Sequence, residues 1–281
     1  MSKAMLHDLH GVLAFYSGHP ISHRQVLASL ASVRGGLDSL RPEELFAYDQ
    51  DHYGGTRAVE TLAARAGIMS GTLVADFCAG LAGPARYLAH RYGANVVCIE
   101  LNPDRAPGAA DLTRRVGLSG RVQVVRGDVM QVPLASATVD AVISQEAFLH
   151  VPDKRRALAE AFRVLKPAGR IALTDWILHQ ELAPSDADLM WRGMAVQTLQ
   201  SAENYRQMLH QSGFRNVQVE DLSGEWSPIL EDRFAMYRRL REETHRLGTP
   251  GGNQAFYDSY ARLVALIRQR VLGGGRFSAE K

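Results

Sequence analysis

Val74-Ala75-Asp76-Phe77-Cys78-Ala79-Gly80-Leu81-Ala82-Gly83-Pro84 is the stretch that decides the fold. A short apolar strand ends in an acid and turns through small residues, and Pro84 stands where a first helical turn begins. Small side chains let another group approach the backbone closely, and the following helix start leaves N–H groups free. Outward from this turn the pattern alternates. Ala85, Leu88, Ala89 and Tyr92 form a helical stripe stopped by Gly93. Asn95 to Glu100 reads as a second strand, followed by a helix through Leu112 and Val116. Arg121 to Gly127 and Val139 to Ser144 read as the third and fourth strands. Leu158, Ala161, Phe162 and Leu165 mark a helix closed by Pro167, and Arg170 to Asp175 a fifth strand.

Strands apolar on both faces, alternating with helices, predict an α/β fold: a doubly wound, mostly parallel sheet covered on both sides. After Asp175 the rhythm breaks over Trp176 to Leu199. A helix through Tyr205, Met208 and Leu209 and a strand at Val217 to Leu222 follow. Two helical patterns, Leu230 to Leu247 and Phe256 to Val271, are split by Gly248-Thr249-Pro250-Gly251-Gly252. The tail Gly275 to Ala279 is expected to return as a last strand, giving seven. The chain thus divides into a helical N-terminal extension, 1–50, and a main domain, 51–281. Insertions around 176–200 and 228–272 are placed to cap the site, because open α/β sheets bind ligands at the carboxyl ends of their strands.

The 281 residues, 46% hydrophobic and 22% charged, are ordinary for a globular enzyme. The 32 basic and 30 acidic residues leave a formal net charge of +2. No strong positive field or appended arm argues for nucleic acid. No apolar run is long enough to span a bilayer and the first ten residues lack a signal-peptide layout, so a cytoplasmic location is expected. Cys78 and Cys98 show no metal or disulfide spacing, and the ten histidines form no ligand motif, so no metal is assigned. Cys78 reads as a small packing residue, since nothing basic adjoins it.

Three acids fall at successive strand ends: Asp76, Glu100 and, after Gly127, Asp128. A carboxylate at Glu100 can accept from both hydroxyls of a ribose, and Asp128 from an adenine amino group. A dinucleotide turn needs G-x-G-x-x-G, and here Cys78 replaces the first glycine. Asp76 also sits badly beside a diphosphate but well beside an ammonium and a sulfonium. The residues therefore favour S-adenosylmethionine over NAD, leaving an NAD-dependent oxidoreductase as the alternative.

Together with His150-Val151-Pro152-Asp153-Lys154 and Leu165-Lys166-Pro167-Ala168-Gly169-Arg170, this series resembles the class I, Rossmann-like methyltransferases. More narrowly, from about Asp49 to Leu222 it is similar to the bacterial sarcosine and dimethylglycine N-methyltransferases. The resemblance implies that the turn, through Ala79 and Gly80, wraps the methionine part of the cofactor. It implies that Glu100 with Leu101 holds the ribose, that Asp128 and Val129 flank the adenine, and that Gln145 lies near the methyl group. Relatives carry glycine where this chain has Cys78 and Ala82.

The methyl acceptor is expected to be a small molecule, an amine or else an oxygen, carbon or sulfur nucleophile. His150, just past the fourth strand, is the candidate base or acceptor clamp; the competing role is to bond backbone in its own turn. Glu146 is a second catalytic candidate that pairs with a cationic substrate or orients its loop. Trp176 and Trp191 are candidate aromatic faces for the acceptor, and Tyr53 is placed to close over the cofactor. A monomer or homodimer is expected.

Overall fold

In a computed structural model, residues 9–246 and 254–281 are described. The glycine-rich break at 248–252 lies outside them. Helices α1 (Leu9–Ser17), α2 (His23–Arg34), α3 (Pro42–Leu45) and α4 (Gly55–Ala66) precede the sheet. Then come β1 (Leu73–Phe77), α5 (Gly83–Tyr92), β2 (Asn95–Glu100), α6 (Arg105–Arg115), β3 (Val122–Arg126) and β4 (Val139–Gln145). After a 3-10 turn at Phe148–His150 follow α7 (Lys154–Val164), β5 (Leu165–Leu178), α8 (Pro184–Met194), β6 (Gln200–Ser201) and α9 (Ala202–Gln211). The chain continues with β7 (Arg215–Asp221), α10 (Ser223–Arg246), α11 (Gln254–Arg268) and β8 (Leu272–Glu280).

The sheet runs β3-β2-β1-β4-β5-β8-β7. Strands β1 to β5 are parallel, and β8 lies antiparallel between β5 and β7. It is an eight-stranded sheet, one more than the sequence predicts, because β6 adds a two-residue pairing to β5. Two residues are too few to carry an alternation, so periodicity passes over them. The strand order reverses between β1 and β4, and their carboxyl ends open a crevice there.

Two boundaries differ for physical reasons. Leu165 begins β5 rather than ending α7, and β5 continues past Asp175 through Leu178 into the segment expected to be an insertion. Strand β8 likewise starts at Leu272, taking in Gly273-Gly274-Gly275. Glycine weakens a strand intrinsically, but here the α10 start lies directly upon it. A Cβ on Gly273 would stand 2.0 Å from Ser223 Oγ, and one on Gly274 would stand 2.4 Å from the Trp226 ring.

Apolar layers cover both faces of the sheet. Val59, Leu62, Leu88 and Val96 pack on one face, and Phe77, Leu158, Leu173 and Phe277 on the other. Helices α2 and α3 bury Val26, Leu30 and Leu45 against Leu81 and Leu112. Over the end of β5, helices α8, α10 and α11 gather Trp176, Met190, Leu230, Tyr237 and Phe256. Among the described residues no helix is long and apolar enough to cross a membrane.

Candidate active site

A cavity of about 530 Å³ lies at the carboxyl ends of β1, β2 and β4. Its strand-end half is built by short-range order. From Phe77 the chain turns through Cys78, Gly80 and Ala82, at φ values of 58°, 57° and 60°. Only glycine adopts such angles without strain. A Cβ at position 80 would add strain to this left-handed backbone and press Arg105 Nη2 at 3.2 Å. Glu100 at the end of β2 accepts from Gly80 N at 2.7 Å and Asn102 N at 2.8 Å. A carboxylate has about four acceptor directions, so lone pairs remain. Burial raises its pKa.

Asp76 is 4% exposed, and its Oδ2 has no partner. Burial and then the Glu100 charge push its carboxyl up to about 8. Gln145 gives its side-chain N–H to His52 Nδ1 at 3.0 Å, while its Oε1 is also buried and unpaired. Asp128 Oδ1 accepts from Met130 N at 2.8 Å, which sets the turn beyond β3. Ala79, Leu101 and Val129 line the same wall. Cys78 lines it too, and burial together with the surrounding acids raises its thiol pKa well above the ordinary value, which opposes a nucleophilic role.

The other half is assembled from distant segments. His150 occupies the turn after β4, where its Nδ1 lies 3.1 Å from Ala195 O. A carbonyl can only accept, so Nδ1 carries the proton, and Nε2 accepts from the Tyr16 hydroxyl at 2.9 Å. Burial lowers the His150 pKa to about 4, so the imidazole is neutral. Beneath the turn, Lys154 donates to Phe148 O and to Thr198 Oγ1, and Asp175 accepts from Leu149 N and the Tyr205 hydroxyl.

The loop Asp49–Tyr53 crosses the cavity and is held from every side. Arg86, fully buried, donates through Nε and Nη2 to Asp49 Oδ2. Arg105 donates to Asp51 Oδ2 at 2.6 Å, and Arg233 to the carbonyls of Asp51 and His52. Glu146, at a left-handed φ of 43°, accepts from Tyr53 N at 2.7 Å and from Thr174 Oγ1 at 2.5 Å. Both its oxygens are thus engaged in tying the loop to β5, and burial raises its pKa to about 7.

Every residue singled out in the sequence except Trp191 lines the cavity, from Tyr53 to Trp176. Trp191 sits half-buried on α8 and is not part of the lining. Also in the lining, and not among the residues expected from the sequence, are Phe15, Tyr16 and His19 before the sheet, Asp51 and His52 in the loop, and Arg105, Arg233, Tyr237, Phe256 and Tyr260. The one available signal was the polar run at 49–53 ahead of a glycine pair. Among the described residues no group of three His, Cys, Asp or Glu could hold a metal ion.

Residues 75–173 match the family model described as "Methyltransferase domain". A glycine/sarcosine/dimethylglycine N-methyltransferase of Actinopolyspora halophila is 33% identical over 186 residues, 66% of this chain and 33% of that protein. A sterol 24-C-methyltransferase of Eremothecium gossypii is 33% identical over 187 residues, 60% of this chain and 50% of that protein. The chain therefore spans a third to a half of these relatives' length. A phosphoethanolamine N-methyltransferase 2 of Haemonchus contortus, solved with S-adenosylhomocysteine, superposes with a TM-score of 0.76 at 17% identity, covering 96% of this chain and 60% of that one. Residues 75–173 therefore form a methyltransferase domain of this family, in a chain that resembles the class I methyltransferases, the sarcosine/dimethylglycine group among them.

Proposed function

We propose that the chain is an S-adenosylmethionine-dependent methyltransferase acting on a small-molecule acceptor, with an amine as the preferred nucleophile. One observation carries the reading: Asp76 Oδ2 and Gln145 Oε1 are buried, unpaired acceptors in the lining of one cavity. Buried polar atoms are rarely left without a partner, and two such oxygens call for a ligand bearing N–H donors and positive charge. The α-ammonium of S-adenosylmethionine meets that demand; the diphosphate of NAD opposes it. When bound, the cofactor supplies an electrophilic methyl on a sulfonium centre.

The chain's own residues then divide the work. Asp76 and Gln145 take the ammonium, Glu100 beside Leu101 takes the ribose, and Asp128 with Val129 borders the adenine. Ala79 and Gly80 allow close approach of the backbone. Tyr53, fixed through Glu146, helps exclude water. Glu146 acts as a positioning residue, since both its oxygens hold the loop. His150 stays neutral and oriented by Tyr16 and Ala195 O, so it can contact the acceptor without adding charge. A neutral amine needs no strong base, and holding acceptor and methyl in line supplies much of the rate. Residues 1–50 serve as an extension contributing Tyr16, and the segments around 176–200 and 228–272 as the cap.

Thermal melting with S-adenosylhomocysteine and with NAD tests the assignment. The former should raise Tm and the latter leave it unchanged, because a ligand of the native state stabilises it. Glu100→Ala should weaken S-adenosylhomocysteine binding about 10- to 100-fold by calorimetry, with unchanged circular dichroism. Equal stabilisation by NAD, or unaltered affinity in the variant, overturns the reading.

A further inference from the structure

The cap side of the cavity is walled by aromatic rings in mutual contact. Tyr237 meets Phe256 at 5.1 Å and Tyr260 at 5.2 Å between ring centroids. Phe15 reaches Phe256 at 6.2 Å and His150 at 5.8 Å, so rings from α1, the His150 turn and α11 form one continuous surface. His19, whose pKa burial lowers, joins it edge-on to Phe256 at 6.0 Å.

The charges near that wall are already committed. Arg233 donates at 2.7 and 2.8 Å to two main-chain carbonyls and lies 5.2 Å over the Tyr53 ring. Arg105 is taken by Asp51 and Ile21 O, and its remaining Nε lies on the cofactor-loop side, 3.6 Å from where a Gly80 Cβ would stand. Asp51 is held by Arg105, and both oxygens of Glu146 are engaged. Among the described residues, the guanidinium groups of Arg105 and Arg233 and the carboxylates of Asp51 and Glu146 thus already hold protein partners on this side. Burying an unpaired substrate charge there would be costly. Two neutral donors without a partner line the cavity among the described residues: Trp176 Nε1–H, on a side chain 2% exposed, and the hydroxyl of Tyr260 in the wall itself.

Resting on the methyltransferase reading, we propose that the acceptor is an uncharged small molecule with a flat, apolar or aromatic body. It packs against the Tyr237–Phe256 wall and presents one lone-pair-bearing group to Trp176 Nε1–H. The predicted class therefore differs from small charged amino acids and phosphate esters.

The test uses the full chain saturated with S-adenosylhomocysteine, titrated with aniline, phenol, toluene, sarcosine and phosphoethanolamine. The aromatic probes should bind and the two charged ones should not at equal concentration. Phe256→Ala should weaken aromatic binding about tenfold, as loss of ring packing does, with S-adenosylhomocysteine affinity retained. Trp176→Phe keeps a ring and removes the N–H, so it should weaken phenol and leave toluene unchanged. Tighter binding of sarcosine or phosphoethanolamine than of every aromatic probe overturns the proposal, as does failure of all aromatic probes to bind. Failure of S-adenosylhomocysteine itself to bind would instead fall on the cofactor reading.

Discussion

The two halves of the cavity are built on different principles. The strand-end half uses consecutive elements: the turn after β1, the last residue of β2 and the turn after β3, each placed by the strand before it. The cap half draws Tyr16, the 49–53 loop, His150, Arg233 and Phe256 from five separate segments and joins them by hydrogen bonds and ring contacts. Parallel strands in register fix the first half once the sheet forms. The second exists only when distant pieces dock together, so substitutions should separate the two.

The largest effect is expected at the seam. Arg86→Ala would leave Asp49 buried without its cation, a change of ~3–5 kcal/mol for a broken buried pair. Chemical denaturation should show that loss. A change below ~1 kcal/mol would mean the loop is anchored elsewhere.

An intermediate effect concerns pH and belongs to the strand-end half alone. With its pKa near 8, free Asp76 is protonated at neutral pH, and binding an ammonium requires it to lose that proton. Affinity for S-adenosylhomocysteine should therefore climb as pH rises from 6 toward 8 and level off above. Asp76→Asn should be weaker and flat across this range by calorimetry. A wild-type affinity that is flat or falls over the same range would remove Asp76 from the ammonium role.

The smallest effect is expected in the cofactor turn. Cys78 holds a left-handed φ of 58° that glycine adopts freely. Cys78→Gly should raise stability by ~1 kcal/mol and Tm by about 2–4 °C, offset in part by lost packing. A lower Tm would show that packing outweighs strain there.

The strand-end half could be read from sequence because each acid ends an apolar strand and the next strand follows after one helix. Asp76, Glu100 and Asp128 thus announce themselves by position. Nothing of the kind marks Tyr16 or Arg233. Tyr16 lies in a short helix, and Arg233 is one of several arginines on α10, while its partners are main-chain carbonyls that no side-chain pattern reveals. Trp191 shows the opposite failure, since an aromatic residue in the right insertion can face away from the cavity. The short β6 leaves no alternation to read, and Gly273 and Gly274 lie in the sheet through contact with the start of α10 rather than by local propensity.

The position of β8 also bears on how the protein is made. The strand lies between β5 and β7, so both keep an unpaired edge until the stretch Leu272–Glu280 has been synthesised. Domains generally fold as they emerge, and exposed strand edges invite wrong pairing. The nascent chain can therefore settle β1 to β5 early but must wait for β8 to join β5 to β7. Phe256, whose ring meets Phe15 of α1, likewise emerges late. The cap side of the cavity is thus completed only once α11 has been made and can meet α1.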